Sequence, residues 1–385
     1  MKLTEQRMAP VALMVAHCAG MVDLISLPVW VGALMTKYAL DPQEAGALVT
    51  LFLIGAVISS LYVAPRIRRW PTRMMASASY ALAALCLFGV SVSESYFLMA
   101  ACHAFAGVAV GAGLSLTHGV IGLSERPHRL FAMVGMALGV FGIVFMGATP
   151  AVIENAPRGT FFQILAAVMT VAAVSSSLAF PVLKTVTQQA PSQRAEPAMS
   201  TAVWMGMAGV ACMSLVQALI FSFLERIGAD RGFGLDVITK VLIVLGLVNL
   251  LPAVLAAWLE RRWSARWVLA LGPVSQAGLA MAITHSSALM GFAAPAVFFA
   301  AVMIFTHTFA FGRLAALDPS GRAVASTPAM LMVGSAIGPF LGGTLVKASG
   351  YEALGLVALC FAAVAVICLR SLSAPLPQAV PAVGH

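Results

Sequence analysis

Ala64-Pro-Arg-Ile-Arg68-Arg69-Trp70-Pro-Thr-Arg73 and Ala257-Trp-Leu-Glu-Arg261-Arg262-Trp263-Ser-Ala-Arg266 share one pattern, Ala-x-x-x-Arg-Arg-Trp-x-x-Arg, 193 positions apart in a chain of 385 residues. Each copy follows a long apolar stretch and precedes another. The spacing is half the chain, so the pattern predicts a duplicated membrane bundle with matching basic loops. Two equivalent membrane halves are most simply a device that rocks about a central site.

Composition supports a membrane solvent. The chain is 61% hydrophobic and 9% charged, with mean hydropathy +0.97. A water-facing domain carries about 25% charged residues, so most of this surface must meet lipid or other helices. The pI near 9.5 does not point to nucleic acid, because the basic residues fall in short inter-helix loops. All six cysteines (Cys18, Cys86, Cys102, Cys212, Cys360 and Cys368) lie in apolar stretches and read as packing residues. The first apolar stretch is too long for a signal-peptide core and reads as an uncleaved span.

A span needs about 20 apolar residues. Twelve are predicted: 10–36, 43–65, 72–93, 95–123, 130–153, 159–183, 200–225, 237–259, 265–284, 288–312, 323–347 and 350–369. The fold class is therefore an all-α membrane protein, with twelve transmembrane helices in two pseudo-symmetric six-helix bundles. The halves are 1–183 and 200–385, and the polar segment 184–199 is their cytoplasmic linker. With the N-terminus in the cytoplasm, 16 of the 22 basic residues fall inside and 6 outside. An odd number of spans would scramble that sorting, so parity and orientation support each other. Both termini are then cytoplasmic, and the short loops suggest a bacterial inner membrane.

Asp23 is the only acidic residue deep within a span. A charge at mid-bilayer costs about 2.5–3.5 kcal/mol even on the gentler scales, so it should face the bundle interior or a water-filled cavity. Helical rise puts Asp23 of span one and His103 of span four at nearly the same depth, which predicts a proton-coupling pair. Glu225 and Arg226 close span seven and are candidates for an outer gate. Gln217, Asn249 and Gln276 are hydrogen-bonding candidates within spans seven, eight and nine. His17 with Met21, and Met99 with His103, stand four apart on helix faces and could offer soft ligands to Cu(I). Thr117-His118 and Thr306-His307 form a second echo between the halves.

Twelve spans, a six-plus-six duplication and a basic loop between spans two and three resemble the major facilitator superfamily over essentially the whole chain. Arg68, Arg69 and Arg73 match the basic part of that family's loop, and Arg261, Arg262 and Arg266 form the second copy. The usual acidic position is an arginine here, and Pro71 and Ser264 replace glycine. In span eleven, Gly334, Gly338, Pro339, Gly342 and Gly343 match the G-x-x-x-G-P-x-x-G-G pattern that family antiporters carry in span five, and read here as a helix-packing motif. His103 stands where the family has a proton-linked arginine. The resemblance implies alternating access, no enzymatic activity and no cofactor. The reading is a proton-coupled secondary transporter, acting as a monomer on a small amphipathic organic molecule, with Asp23 and His103 for the proton and with His17, Met21, Met99, Gln217, Glu225, Arg226, Asn249 and His307 near the substrate. A copper importer of the same fold, or a non-transporting membrane receptor or scaffold, are the alternatives.

Overall fold

The computed structural model describes residues 8–124, 127–182, 199–259, 262–318, 323 and 327–373. The predicted linker falls almost wholly outside them. The described chain is a succession of helices: α1 (Ala9–Gly20), α2 (Val22–Lys37), α3 (Pro42–Val63), α4 (Thr72–Val92), α5 (Tyr96–Gly122), α6 (Pro127–Glu154), α7 (Thr160–Ala179), α8 (Thr201–Phe221), α9 (Leu224–Asp230), α10 (Leu235–Val248), α11 (Pro252–Leu259), α12 (Ala265–His285), α13 (Leu289–Leu317), α14 (Thr327–Ser349) and α15 (Glu352–Arg370).

Among the described residues, eleven stretches are long and apolar enough to cross a bilayer. The twelfth predicted span, 237–259, is not one helix. Pro252 has no amide hydrogen and its ring crowds the carbonyl four residues back, and the chain is interrupted between Val248 and Pro252. The pieces α10 and α11 still run from Arg231, bonded to the end of α12, to Arg262 at its start. Their 14 and 8 residues supply about 33 Å of rise, enough for a hydrocarbon core of about 30 Å. Together they are long enough for the predicted eighth crossing, as a broken helix.

Spans one and seven are broken too, which hydropathy did not reveal. Gly20 is pressed against Leu114 and ends α1. Met21, at φ −109° and ψ 20°, steps out of the helix before α2 begins. In span seven Ser222 turns its hydroxyl back onto the Ala218 carbonyl (2.6 Å), and Phe223 leaves the helix at φ −117° and ψ 3°. These two spans are also the most buried, with 72% and 78% of their apolar windows covered, against 22% for span five and 33% for span twelve. They therefore form the axis of the bundle, one in each predicted half.

Within the first half α3 packs on α5 and α4 on α7; within the second, α8 packs on α14 and α12 on α15. Across the halves α3 meets α14 and α6 meets α10. The α3–α14 seam is tight because glycine removes the obstacle. A side chain at Gly46 would strike the Pro339 carbonyl, and one at Gly343 the Pro42 carbonyl. Gly334, Gly338 and Gly342 face the other way, against Ala211, Ala218 and Phe223 of span seven. The span-eleven motif thus has two jobs: three glycines hold its own half together, while Pro339 and Gly343 meet the opposite half.

The basic loops share one end of the molecule. Asp41, which caps α3 through a capping box with Glu44, contacts Lys347 at the end of α14 (2.7 Å). Tyr351 donates to Asp230 (2.6 Å), and Arg231 donates to the Ile283 and Thr284 carbonyls. These contacts gather the starts of α3 and α15 and the ends of α9, α12 and α14 at one end. Arg66–Arg69 and Arg262–Arg266 lie at the opposite ends of the same helices, hereafter the basic end.

Candidate functional site

The two helix breaks position the two interior acids. Asp23 lies two residues beyond Met21, in the first turn of α2. Glu225 lies two residues beyond Phe223, in the first turn of α9. The positive end of a helix dipole favours a carboxylate in that turn, so each central span carries its acid where an interrupted helix can hold it. The Asp23 carboxyl sits beside the amides of Asp23 and Leu24. This equivalence was not legible in the sequence, which treats Asp23 as mid-helix and Glu225 as a helix end.

The direct Asp23–His103 contact expected from equal depths is not formed. His103 is fully buried. Its Nδ1 donates to the Met99 carbonyl (2.7 Å), and its Nε2 accepts from the Trp30 indole (3.4 Å). Trp30 is seven residues beyond Asp23, about 10 Å further along α2. Both ring nitrogens of His103 are thus engaged by Trp30 and Met99. Trp30, missed at the sequence level, sits among Phe52, Phe161, Phe162 and His103 with ring centroids 5.1–6.0 Å apart. The site is an aromatic box with one imidazole held as a neutral tautomer.

The soft-ligand pairs are likewise engaged differently. His17 meets not Met21 but His118 of α5, with Nδ1 and Nε2 3.1 Å apart and the rings tilted at 5.1 Å. One ring must donate and the other accept. Phe131 covers His118 from α6, with centroids 5.7 Å apart. Beside them Tyr80 donates to the Ala16 carbonyl (2.7 Å). Met99 gives His103 its carbonyl, and its buried side chain is part of the core. The Thr117-His118 echo was the available signal for this pair; what it lacked was the partner on span one.

In the second half Gln276 donates to the Gln217 side-chain oxygen and to the Met213 carbonyl, both at 3.2 Å. Gln217 Nε2 and Asn249 Oδ1 are buried with no hydrogen-bond partner among the described residues. Asn249 stands at the break of span eight. His307 stacks on Phe311 at 4.8 Å.

Away from the basic end, a cavity of about 280 Å³ lies between spans one, five, seven and eight. Glu225 reaches into it from α9, opposite Gly32, Thr36 and Lys37 of α2 and Glu154 of α6. Lys37 is spent on the Glu154 and Ala156 carbonyls (2.8 and 3.2 Å), and Arg226 on Asp230 (2.6 Å). Arg226 therefore braces its own helix rather than pairing with Glu225. In the basic loops Arg73 donates to the Phe180 carbonyl (2.8 Å), and Arg262 lies over Trp258 at 4.7 Å. Arg69 and Arg266 belong to the same loops; Arg261 and the side chain of Arg68 lie outside what is described.

The comparisons with known proteins agree with this architecture. The family profile described as Major Facilitator Superfamily matches residues 12–319. Among solved structures, the chain is similar to a D-xylose–proton symporter (13% identity, 96% of this chain and 98% of that one, TM-score 0.74). It is similar to the nucleoside transporter NupG (16%, 97% and 98%, 0.69). It also resembles a bacterial homologue of the human lysosomal transporter Spinster in an inward-facing, unoccupied conformation (14%, 95% and 92%, 0.70). At such identities the likeness is one of fold. No curated protein sequence matches.

Proposed function

The chain belongs to the major facilitator superfamily, and we propose that it is a proton-coupled secondary transporter that moves a small amphipathic organic molecule by alternating access. The halves 1–183 and 200–385 are the rocking units and 184–199 is their tether. The basic end is the cytoplasmic one in this reading, which the 16-to-6 sorting of basic residues supports. The seam opposite it, where spans two and eleven touch, closes the outer mouth, so the arrangement is inward-facing.

The observation that carries this reading is the pairing of breaks and acids in the two central spans. Asp23 and Glu225 each sit at the start of a half-helix, at the axis about which the halves turn. A carboxylate there is tolerated while water reaches it. Turning it away from water favours the neutral form, so reorientation and proton binding are linked. Asp23 is the coupling acid, with His103 holding the span-one to span-four contact through Trp30. The unpaired Gln217 Nε2 and Asn249 Oδ1 offer one donor and one acceptor to a mostly apolar substrate. The nucleoside and xylose–proton carriers of the same fold make a small organic cargo the natural class.

The test is Asp23→Asn in proteoliposomes, using a substrate found by thermal-shift screening of organic acids, nucleosides, sugars and amphipathic cations. Exchange of labelled for unlabelled substrate should persist while accumulation driven by a pH gradient is lost. Retention of gradient-driven accumulation would remove Asp23 from the mechanism.

A further inference from the structure

A groove of about 600 Å³ opens on the flank of the second half at the basic end, between α11, α12 and α13. Its walls are apolar: Leu255 from α11, Trp267 and Leu271 from α12, Phe298 and Phe305 from α13. Several of these are more than half exposed, including Trp267 (65%), Leu271 (56%) and Phe298 (53%), so the groove faces the membrane rather than the bundle axis. It exists because the break before Pro252 makes α11 a separate short helix. Gly272 also lets Thr306 of α13 come up against the α12 backbone at the groove floor.

The mouth has a different chemistry. Arg262, Trp263 and Ser264 line it. Ser264 is the N-cap of α12 and its side chain makes no bond to its own helix, so the mouth lies at the positive end of a 21-residue helix. Arg262 in the lining and Arg266 in the first turn of α12 bring two positive charges to that end. From Ser264 to Ser275, both in the lining, α12 rises about 16 Å, half of a hydrocarbon core about 30 Å thick. The groove therefore has a cationic mouth at headgroup level and an apolar trough one leaflet deep.

We propose that this groove is a binding site for one anionic phospholipid of the basic-end leaflet, with its phosphate on Arg262 and the α12 N-terminus and an acyl chain along Trp267, Leu271 and Phe298. The occupant's charge follows from the mouth, and its length from the trough. The site is separate from the central acids and does not depend on the transport reading.

Native mass spectrometry of the delipidated protein with added phosphatidylglycerol or phosphatidylcholine tests this. One phosphatidylglycerol should remain bound at activation energies that strip phosphatidylcholine. Ser275→Trp fills the trough from an exposed position and should abolish that retention, whereas Leu85→Trp, on the lipid face of the first half, should leave it intact. Arg262→Gln should weaken it about fivefold, the share of one basic residue at an anionic surface. Equal retention of the two lipids, retention by Ser275→Trp, or equal loss in both tryptophan variants would overturn the proposal.

Discussion

The Glu225 carboxylate of span seven occupies the space that a side chain at Gly32 of span one would need. The two residues come from opposite halves and meet where the halves close at the end away from the arginine loops. Glycine at 32 is therefore a fitted absence: it lets an acid lie at the seam. Gly32→Val should force Glu225 aside and hold the seam apart, whereas Glu225→Gln keeps the fit and removes the charge. Spin labels at Glu94→Cys and Glu352→Cys, in a background without native cysteines, should report a longer outer distance for Gly32→Val and an unchanged or shorter one for Glu225→Gln. Equal distances for wild type and Gly32→Val would show that the contact does not gate.

Thr50 makes a close polar stitch in the α3–α14 seam. Its hydroxyl donates to the Ala336 carbonyl (2.7 Å) and accepts from the Phe340 amide (3.1 Å), so it spans one rung of the helix beside Pro339. Thr50→Val keeps the shape and loses both bonds. At about 1 kcal/mol net for each bond, the outer-closed population should fall by ten- to thirtyfold relative to outer-open. The same pair of labels measures it, and an unchanged distance distribution would assign the seam's closure to packing alone.

How much of this was readable beforehand depends on the kind of force involved. The crossings, their parity and the family resemblance follow from hydropathy and basic-residue sorting, which act residue by residue. The break in span eight is signalled by Pro252. The breaks at Met21 and Ser222–Phe223 carry no proline, and depend on neighbours such as Leu114 that only the folded bundle supplies. His103 illustrates the same limit. Its depth could be estimated from helical rise, but its partner could not, because contact between helices depends on their rotation and on breaks along the way. The span-eleven glycines were read as packing residues; which of them face span seven and which face span two needed the coordinates.

Asp41 and Lys347 give the outer seam a pH dependence of known sign. Burial pushes the Asp41 carboxyl up, but hydrogen bonds from the Lys347 ammonium and the Glu44 amide outweigh it and hold the group below the usual carboxylate range. A lowered acid stabilises the paired, closed state above its unpaired value, near pH 3.9, and that contribution is lost as pH falls through the lowered value. The pair's contribution to closure should therefore be full and constant from neutral pH down to about 5 and weaken below about 4. The pair is partly exposed, so the population change should be no more than about fivefold. Asp41→Asn should remove that part of the acid dependence. The outer-label distance measured against pH in the two proteins decides it.

His17 and His118 form a buried pair whose energetic signature differs from that of two independent side chains. Each satisfies the other across spans one and four, so removing one leaves a ring nitrogen without its partner. His118→Leu should cost about 1–3 kcal/mol, the penalty for a buried unsatisfied polar group, and His118→Gln less, since an amide can still donate or accept. Replacing both rings by leucine removes the bond and the orphan together, so His17→Leu with His118→Leu should cost less than the sum of the single changes. Unfolding midpoints of the four proteins in one detergent supply the cycle. Additive losses would mean that the 3.1 Å contact carries no coupling, and that the two imidazoles are held apart in function by the helices that bear them.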